Sequence, residues 1–341
     1  MLRVILPHAY GPTMGEAVIL SGDAGGTNVR FALAHVGRHS VELSDVWKRA
    51  GADYPTFNDA LRAYLAEVKP KLAGASFGLA GQNEDGRVEL LNRGWTVDIA
   101  SVTSLLGLES VLVTNDFWAM ARAAPELSGD DLHLISEGES DPEGSLAIGG
   151  PGTGFGVAVM RRYSGNRAKG WVVIGGEGGH QGYAPQTKIE WALAEALRAK
   201  LGYVSNEIVA AGVGFEDTLE ALFHVMGMPP RKLSQAEVIE AAKAGDPLAS
   251  EFCRIRAAAV MAAMGNLALV CNATGGVFIA GGVSQRLEPW LKEEPAVARF
   301  RERGLRTGLM APIPIRLITS ESAPLIGSAK LWLDEQERGW L

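Results

Sequence analysis

A glycine-rich segment with polar side chains follows the first apolar run of the chain. It consists of Gly22, Asp23, Ala24, Gly25, Gly26, Thr27, Asn28, Val29 and Arg30. Consecutive glycines allow backbone N–H groups to turn toward a phosphate, and Thr27 and Asn28 add side-chain donors. Asp23 has the oxygen donors that Mg²⁺ prefers and can hold the ion through water. A tight hairpin turn also uses Gly and Asn, but their combination with Asp, Thr and Arg favours a phosphate-binding loop.

A second segment, residues 150–156, repeats the pattern of a glycine-threonine turn between two strands. Gly152, Thr153 and Gly154 form its centre. A plain hairpin loop would explain this segment equally well by itself, and its similarity to the first segment is what favours a second phosphate loop. The P-loop and Rossmann glycine patterns do not occur in the sequence. The sequence therefore supports neither a P-loop NTPase nor a Rossmann dehydrogenase.

An acidic residue, Asp116, follows an apolar strand within residues 113–117. A carboxylate at the end of a strand is well placed to accept a proton from a substrate hydroxyl, and the neighbouring Asn115 can both donate and accept hydrogen bonds. The alternative is that Asp116 only caps the following helix, which is common. Taken alone, this segment favours the cap.

Two further glycine segments are candidates for substrate contacts. Residues 175–180 hold Glu177 and His180, whose carboxylate and imidazole offer the acceptors and donors that sugar hydroxyls need. A His–Glu metal site is the rival, but H-E-x-x-H is absent and no third ligand is evident; a purely structural loop is also possible. Gly281 and Gly282 end an apolar strand, where they either approach an adenosine closely or close a packed strand.

The elements that must position these residues alternate between strands and helices. Short apolar runs predict strands over residues 17–21, 29–36, 41–47, 75–81, 110–114, 171–174, 276–280 and 313–319, and a strand–turn–strand unit over 145–160. Helical periodicity and capping signals predict helices over residues 56–68, 117–127, 188–201, 234–244 and 247–271, and a C-terminal helix from Pro324. This mixture predicts the α/β class. The two glycine-threonine turns indicate duplicated halves that face a cleft.

Size and composition narrow the class of protein further. A chain of 341 residues predicts two domains, and a net charge of −7 argues against a nucleic-acid surface. The 2 cysteines cannot form a disulfide framework, so a reducing compartment is the default. Residues 1–14 are expected to be a flexible leader, with Met14 a candidate start of translation. The apolar run 257–270 is shorter than the roughly 20 residues that span a bilayer, which favours a buried core helix.

Together and in this order, the motifs resemble those of the bacterial ATP-dependent glucokinase family, which belongs to the actin-like ATPase superfamily with the hexokinases. The similarity extends from about Ala17 to the C-terminal helix. The motifs are GDAGGTNVRFAL, LAGQNEDGRVELLNRGW, VTNDFWAMA, GGPGTGFGVAV, GGEGGH followed by YAP, LGYVSNEIV, GNLAL, GGVFIAGG and IPIRLI. The resemblance implies a two-domain actin-like (ribonuclease H-like) fold with a cleft between a small domain, residues 15–125 plus 322–341, and a large domain, residues 126–321.

The resemblance also implies a role for each motif residue. Asp116 would be the catalytic base, and the sugar ligands would be Asn115, Glu177, His180 and Glu207. The phosphates and the adenosine would be bound by Gly22, Asp23, Gly25, Gly26, Thr27, Asn28, Gly152, Thr153, Gly154, Gly281 and Gly282. The implied reaction transfers the γ-phosphoryl group of ATP to the 6-hydroxyl of glucose, with Mg²⁺ held by Asp23 through water. A cytoplasmic homodimer that binds neither nucleic acid nor membrane is expected.

The sequence departs from the family at two places and leaves two alternative functions. Relatives have Ala-Gly-Pro where this chain has Ala-Gly-Gln at residues 80–82, and Ser-Gly-Pro-Gly where it has Ala-Gly-Val-Gly at residues 211–214. The second departure lies near the nucleotide side and bears on nucleotide affinity. A kinase for mannose or fructose is one alternative, because pocket shape decides between such sugars. A non-catalytic sugar sensor is the other, although Asp23, Asp116 and both turns are retained.

A related repressor/kinase family usually carries a cysteine-rich zinc motif near its glycine–histidine segment. Here no cysteine lies near His180, and no DNA-binding helix pair precedes the first glycine loop. This comparison favours the glucokinase branch.

Overall fold

The computed structural model describes residues 17–25, 27–37, 40–81, 83–90, 94–164 and 169–338. These residues form two compact units. The first comprises the described residues up to 127 together with 162–173 and those from 320 onward, and the second comprises 128–161 and 174–319. Gly26, Gln82 and the expected leader, residues 1–14, lie outside the described residues.

Strands and helices alternate along the described chain. The strands are β1 (Ala17–Ala24), β2 (Asn28–Val36), β3 (Val41–Ala50), β4 (Gly74–Leu79), β5 (Asn83–Glu84), β6 (Arg87–Leu90), β7 (Trp95–Asp98), β8 (Leu112–Asn115), β9 (Leu132–Ser136), β10 (Leu146–Pro151), β11 (Phe155–Ser164), β12 (Lys169–Gly176), β13 (Gly276–Ile279) and β14 (Ile315–Ile318). The helices are α1 (Phe57–Val68), α2 (Ile99–Leu106), α3 (Asp116–Ala123), α4 (Lys188–Leu201), α5 (Asn206–Ala210), α6 (Phe215–Val225), α7 (Gln235–Lys243), α8 (Pro247–Cys271), α9 (Gly282–Arg286), α10 (Glu288–Leu291), α11 (Glu294–Arg301), α12 (Thr307–Met310) and α13 (Ala323–Arg338).

The two main sheets share one strand order. The first runs β3-β2-β1-β4-β8 and the second β12-β11-β10-β13-β14, with β9 added at its edge. In each sheet an antiparallel hairpin, β1–β2 or β10–β11, is followed by a parallel neighbour, β4 or β13. The duplication agrees with the similarity of the two glycine-threonine turns, and the mixture of sheets and helices confirms the predicted α/β class.

The sheet of the first unit is covered on both faces because successive side chains of a strand point to opposite sides. On one face, Leu20 belongs to a core with α1 that contains the aromatic residues Phe31, Trp47, Phe57, Tyr64 and Phe77. On the other face, Ile19 packs with Ala329 and Trp332 of α13. This double burial fixes β1, whose far end carries Asp23.

A buried ion-pair network joins α3 to α13. The Arg122 guanidinium donates to the two carboxylate oxygens of Asp334 at 2.6 and 3.1 Å and to Glu126 at 2.8 Å. Lys330 approaches Glu126 at 3.0 Å. Both Arg122 and Asp334 are 4% exposed, so this network lies inside the unit rather than on its surface.

We expect Asp334→Ala to lower the free energy of unfolding by about 3–5 kcal/mol, because it leaves the Arg122 charge buried without its main partner. Urea denaturation followed by circular dichroism measures the loss. Glu337→Ala, at an exposed position of the same helix, is the matched control. A loss below about 1 kcal/mol for Asp334→Ala, the range of an exposed pair, would contradict the prediction.

The core of the second unit is organised around α8. By length and composition this helix could cross a bilayer, but 72% of its apolar window is buried inside the unit. Its buried side chains, among them Phe252, Val260 and Met264, pack with residues of α4, α6 and α7. The structure confirms the core helix that the sequence predicts at these residues.

The structure differs from the predicted elements at α3. The helix predicted over residues 117–127 ends at Ala123 and continues as a short 3-10 turn, Ala124–Glu126. Pro125 lies in that turn, and it has no backbone N–H with which to extend the α-helical hydrogen bonding. The helix that carries Asp116 is therefore a short one held by α13.

Candidate active site

The candidate base lies at the junction of β8 and α3. Asn115 is the N-cap of α3, and its Oδ1 accepts a hydrogen bond from the Phe117 N–H at 2.9 Å. Asp116 Oδ1 accepts from the same N–H, also at 2.9 Å. A Cβ built on Gly78 of β4 would lie 3.2 Å from the Asp116 Cα, so a glycine here lets the helix approach the sheet. Because Asn115 serves as the cap, capping alone does not account for Asp116.

The surroundings of Asp116 make its carboxylate a stronger base. The pKa of Asp116 is raised to about 6: burial is the main cause, the nearby charge of Asp23 adds to the rise, and the Phe117 N–H bond opposes it. Asp23 lies near the end of β1, is 4% exposed, and accepts a hydrogen bond from Arg30 Nη1 at 2.5 Å. A carboxyl group with a pKa near 6 is mostly ionised at neutral pH and basic enough to accept a proton.

The first glycine loop lies beside Asp116 in the same unit. A Cβ built on Gly25 would lie 4.0 Å from Asp116 Oδ2. Thr27 is exposed and Asn28 is half-buried, so both polar side chains are accessible to a ligand. Gly22 is buried, and a Cβ there would lie 2.5 Å from the Phe77 ring, so packing explains this glycine. Its role toward phosphate stays a prediction, as do the roles of the other loop residues.

The second glycine-threonine turn joins β10 to β11 and is held by backbone hydrogen bonds. Gly152 N–H donates to Gly154 O at 2.8 Å, which closes the turn, and Thr153 at its tip is exposed. Gly281 has a φ of +95°, and a Cβ on it would lie 2.3 Å from the Pro151 carbonyl oxygen. The predicted phosphate turn and the predicted adenosine segment are therefore neighbours. A Cβ built on Gly282, the first residue of α9, would have no atom within 4 Å.

A third segment, residues 211–214, completes this group of loops. Gly212 N–H donates to Gly152 O and Val213 N–H donates to Thr153 O, each at 2.9 Å. The sequence placed this segment near the nucleotide side but assigned it no contact. Its composition, Ala-Gly-Val-Gly, has no polar side chain, and these hydrogen bonds are made by the backbone.

Two candidate sugar ligands of the second unit, His180 and Glu207, lie next to each other. Glu207 Oε2 accepts a hydrogen bond from Phe155 N–H at 2.7 Å, and its Oε1 lies 3.7 Å from His180 Nε2. A Cβ on Gly154 would lie 2.8 Å from Glu207 Oε2, so this glycine makes room for the carboxylate. Glu177 is exposed at the start of the 3-10 turn that ends with His180. Glu207 thus lies beside His180 and contacts the end of the predicted phosphate turn.

Tyr203 supports this arrangement and was not anticipated from the sequence. Its hydroxyl donates to the backbone carbonyl of His180 at 2.8 Å. Nearby, Asn206 N–H donates to Gln181 O at 2.9 Å. The signal in the sequence was weak, since an aromatic residue before a helix is more often a packing residue than a loop support.

The candidate residues form two separate sets, each within one unit. The first set combines Asp116 and Asn115 with the Asp23 loop. The second combines the turn at Thr153, the Gly281 segment and the Glu207–His180 pair. A half-buried carboxylate with a pKa near 6, glycine-rich turns and a neighbouring carboxylate and imidazole are parts that phosphoryl transfer to a polyol uses.

Comparison with known proteins places the chain in a class and then in a family. Its fold is the α/β fold of the actin-like sugar kinases: a crystal structure of glucokinase from an Antarctic psychrotroph superposes with a TM-score of 0.84 at 31% identity, covering 94% of this chain and 100% of that one. The family model described as Glucokinase matches residues 20–335. The chain belongs to the glucokinase family.

Curated relatives agree with this assignment over most of their length. The glucokinase of Chromobacterium violaceum is 36% identical over 312 residues, which cover 91% of this chain and 88% of that protein. The glucokinase of Nitrobacter hamburgensis is 34% identical over 321 residues, which cover 93% of this chain and 98% of that protein.

Proposed function

We propose that the chain is a glucokinase that transfers the γ-phosphoryl group of ATP to the 6-hydroxyl of glucose, the first step of glucose use. Membership of the glucokinase family supports the reaction class. The observation that carries the proposal in this structure is the Asp116 carboxylate, half-buried at the β8–α3 junction beside the Asp23 loop, with a pKa raised to about 6. A helix cap does not require such an environment, whereas a base for a sugar hydroxyl benefits from it.

Phosphoryl transfer depends on positioning and on charge stabilisation more than on covalent help from the protein. In the proposed mechanism Asp116 accepts the proton of the sugar hydroxyl as its oxygen attacks the γ-phosphorus. The bond from that phosphorus to the β,γ-bridging oxygen breaks, and ADP leaves. The Asp23 loop and the turn at Thr153 hold the phosphates through backbone N–H groups and the Thr27 and Thr153 hydroxyls.

The sugar ligands select hydroxyl positions by pairing with them. Asn115, Glu177, His180 and Glu207 offer amide, carboxylate and imidazole groups that complement a polyol. Glu207 already uses one oxygen on Phe155 N–H, which leaves Oε1 for a sugar hydroxyl. A sugar that cannot pair with these groups would leave them unsatisfied, which is the physical basis of discrimination.

Mg²⁺ is the metal that this chemistry implies, and the Asp23 carboxylate suits it. Within the described part of the chain no group of three or more His, Cys, Asp or Glu side chains could hold a metal ion. Asp23 would hold the ion through water, as hard cations prefer oxygen ligands. Mg²⁺ bound there would neutralise charge on the phosphates.

The pH dependence of the reaction follows from the raised pKa of Asp116. Asp116 acts as a base only when ionised, so activity falls when it is protonated. We expect kcat/KM to be flat above about pH 7 and to fall about tenfold per pH unit below the pKa of about 6. Initial rates between pH 4.5 and 8.5, with enzyme stability checked at each pH, measure the curve. A curve still flat at pH 5 would contradict the role of Asp116.

An assay that follows formation of the sugar phosphate over a panel of hexoses tests the proposed function. Glucose should give the highest kcat/KM, with mannose and fructose as the alternative acceptors and with ATP, GTP and polyphosphate compared as donors. A preference for another hexose would replace glucose as the substrate. Absence of phosphorylation of any hexose would reject the enzyme and leave the sugar sensor.

We also propose that the enzyme works in the cytoplasm as a homodimer. Both cysteines, Cys253 and Cys271, are free thiols, which suits a reducing compartment. Light scattering after size-exclusion chromatography measures the oligomeric state, and a monomeric mass would contradict the dimer.

A further inference from the structure

A buried arginine of the second unit lies behind the loops assigned to the nucleotide. Arg256 of α8 is 3% exposed, and no ion pair joins it to an acidic side chain among the residues that the structure describes. Burial lowers the pKa of Arg256 to about 10, so the group stays cationic at neutral pH. A buried cation without an acidic partner is costly and needs a compensating arrangement.

The interactions that compensate for the buried charge of Arg256 come mainly from residues 210–215. Arg256 Nη2 donates to the carbonyl oxygens of Ala210 at 2.6 Å and Ala211 at 3.1 Å. Its Cζ lies 5.8 Å from the ring centre of Phe215 and 5.2 Å from that of Phe252, both within the range of a cation–π contact. Arg256 therefore contacts the residues on either side of the Gly212–Gly214 segment.

The segment between these contacts holds the predicted phosphate turn. Gly212 N–H and Val213 N–H donate to the carbonyl oxygens of Gly152 and Thr153, each at 2.9 Å. A Cβ on Gly212 would lie 3.1 Å from Gly152 O, so the two backbones are in close contact. A path of direct contacts thus runs from Arg256 through residues 210–215 to the turn that carries Thr153.

We propose that Arg256 is a positioning residue for the nucleotide: it fixes the 210–215 segment, and this segment fixes the Gly152–Gly154 turn in the conformation that binds the phosphates of ATP. The proposal rests on the proposed function, because it needs that turn to be a phosphate site. The proposal also assigns a structural effect to the sequence difference between this chain and the family at residues 211–214. Val213 supplies an N–H to Thr153 that the proline of the relatives lacks.

The test compares ATP affinity with glucose affinity in Arg256→Met. We expect the KM for ATP to rise about tenfold while the KM for glucose stays within about twofold, with Arg256→Lys recovering most of the loss because an ammonium still donates to carbonyls. Arg303→Met is the matched control, since Arg303 also donates to a backbone carbonyl, that of Ala262, at 3.1 Å. Equal changes in both KM values, or an unchanged KM for ATP in the folded variant, would overturn the proposal.

A second pair of variants applies if Arg256→Met does not fold. Phe215 N–H donates to Gly212 O at 3.2 Å, which makes Val213 the second residue of a β-turn, a position that accepts proline. Val213→Pro removes the N–H that donates to Thr153 O, whereas Val213→Ala shortens the side chain and keeps this N–H. The KM for ATP should rise about threefold in the proline variant and not in the alanine variant. Equal values for the two would overturn the proposal.

A binding measurement on the wild-type chain distinguishes a failure of this proposal from a failure of the proposed function. Isothermal titration with a non-hydrolysable ATP analogue shows whether the wild-type chain binds the nucleotide at all. Absence of binding would reject the proposed function, and the positioning role with it. Binding by the wild type with unchanged binding by the variants would reject the positioning role alone.

Discussion

Asp116→Asn is expected to lower kcat by about 10²–10⁴-fold, the usual contribution of a positioned general base, while the KM for glucose stays within about threefold. The asparagine Oδ1 can still accept the Phe117 N–H bond that Asp116 accepts at 2.9 Å, so α3 keeps its first turn. The loss therefore measures proton transfer rather than folding. Steady-state kinetics with saturating ATP give both constants.

The control for this substitution is Asp98→Asn. Asp98 is the N-cap of α2, where its side chain accepts the Ser101 N–H, and asparagine is an equally good cap. The control should keep wild-type kcat and stability. A kcat for Asp116→Asn within about tenfold of wild type would show that another group accepts the proton.

Glu207→Ala is expected to lower kcat/KM for glucose by about 10²–10³-fold. The substitution removes a charge-assisted contact to the sugar and also leaves the Phe155 N–H without the acceptor that it has at 2.7 Å. Loss of a charged hydrogen bond together with an unsatisfied N–H has a cost of this order. Because Phe155 follows the phosphate turn, the KM for ATP should rise as well.

Glu207→Gln separates the loss of the charge from the loss of the acceptor for the Phe155 N–H. The glutamine oxygen can still accept the Phe155 N–H, while the charge toward His180 is lost. We expect a loss of about tenfold in kcat/KM for glucose and a KM for ATP close to wild type. If the alanine variant left kcat/KM for glucose unchanged, Glu207 would not be a sugar ligand.

Much of the fold follows from local signals in the sequence. The helix predicted over residues 188–201 is observed as α4 with those bounds, because Thr187 and Glu190 form a capping box and Gly202 ends the helix. The strands predicted over residues 29–36 and 41–47 are observed as the antiparallel pair β2 and β3. Capping residues and glycines act within a few residues, so their effect can be predicted without the tertiary structure.

Elements that depend on tertiary contacts were missed. Strands β5 to β7 form a separate three-stranded sheet in the described residues, yet their sequence is short and charged. Trp95 of β7 is buried against Phe57 of α1, a contact that no local pattern reveals. Helix α6 was also missed: it begins at Phe215, and its N-cap residue, Gly214, has no side chain to cap it.

The residues of the candidate site also differ in whether the sequence alone reveals them. Asp116, Asn115, Asp23 and the two glycine-threonine turns stand out in the sequence because their side chains or glycine spacing are unusual. Glu207 needed the family resemblance, and the contacts of residues 211–214 needed the structure, because they are made by backbone groups. One feature of the sequence marks Arg256: it is the last charged residue before an uncharged run that ends at Arg286.

The most direct test of the central proposal is the identity of the product. The purified chain, incubated with ATP, Mg²⁺ and glucose and followed by ³¹P NMR, should form one glucose 6-phosphate for each ADP, and Asp116→Asn should abolish most of this signal. ADP and inorganic phosphate without a sugar phosphate, or no loss of ATP at all, would contradict the account.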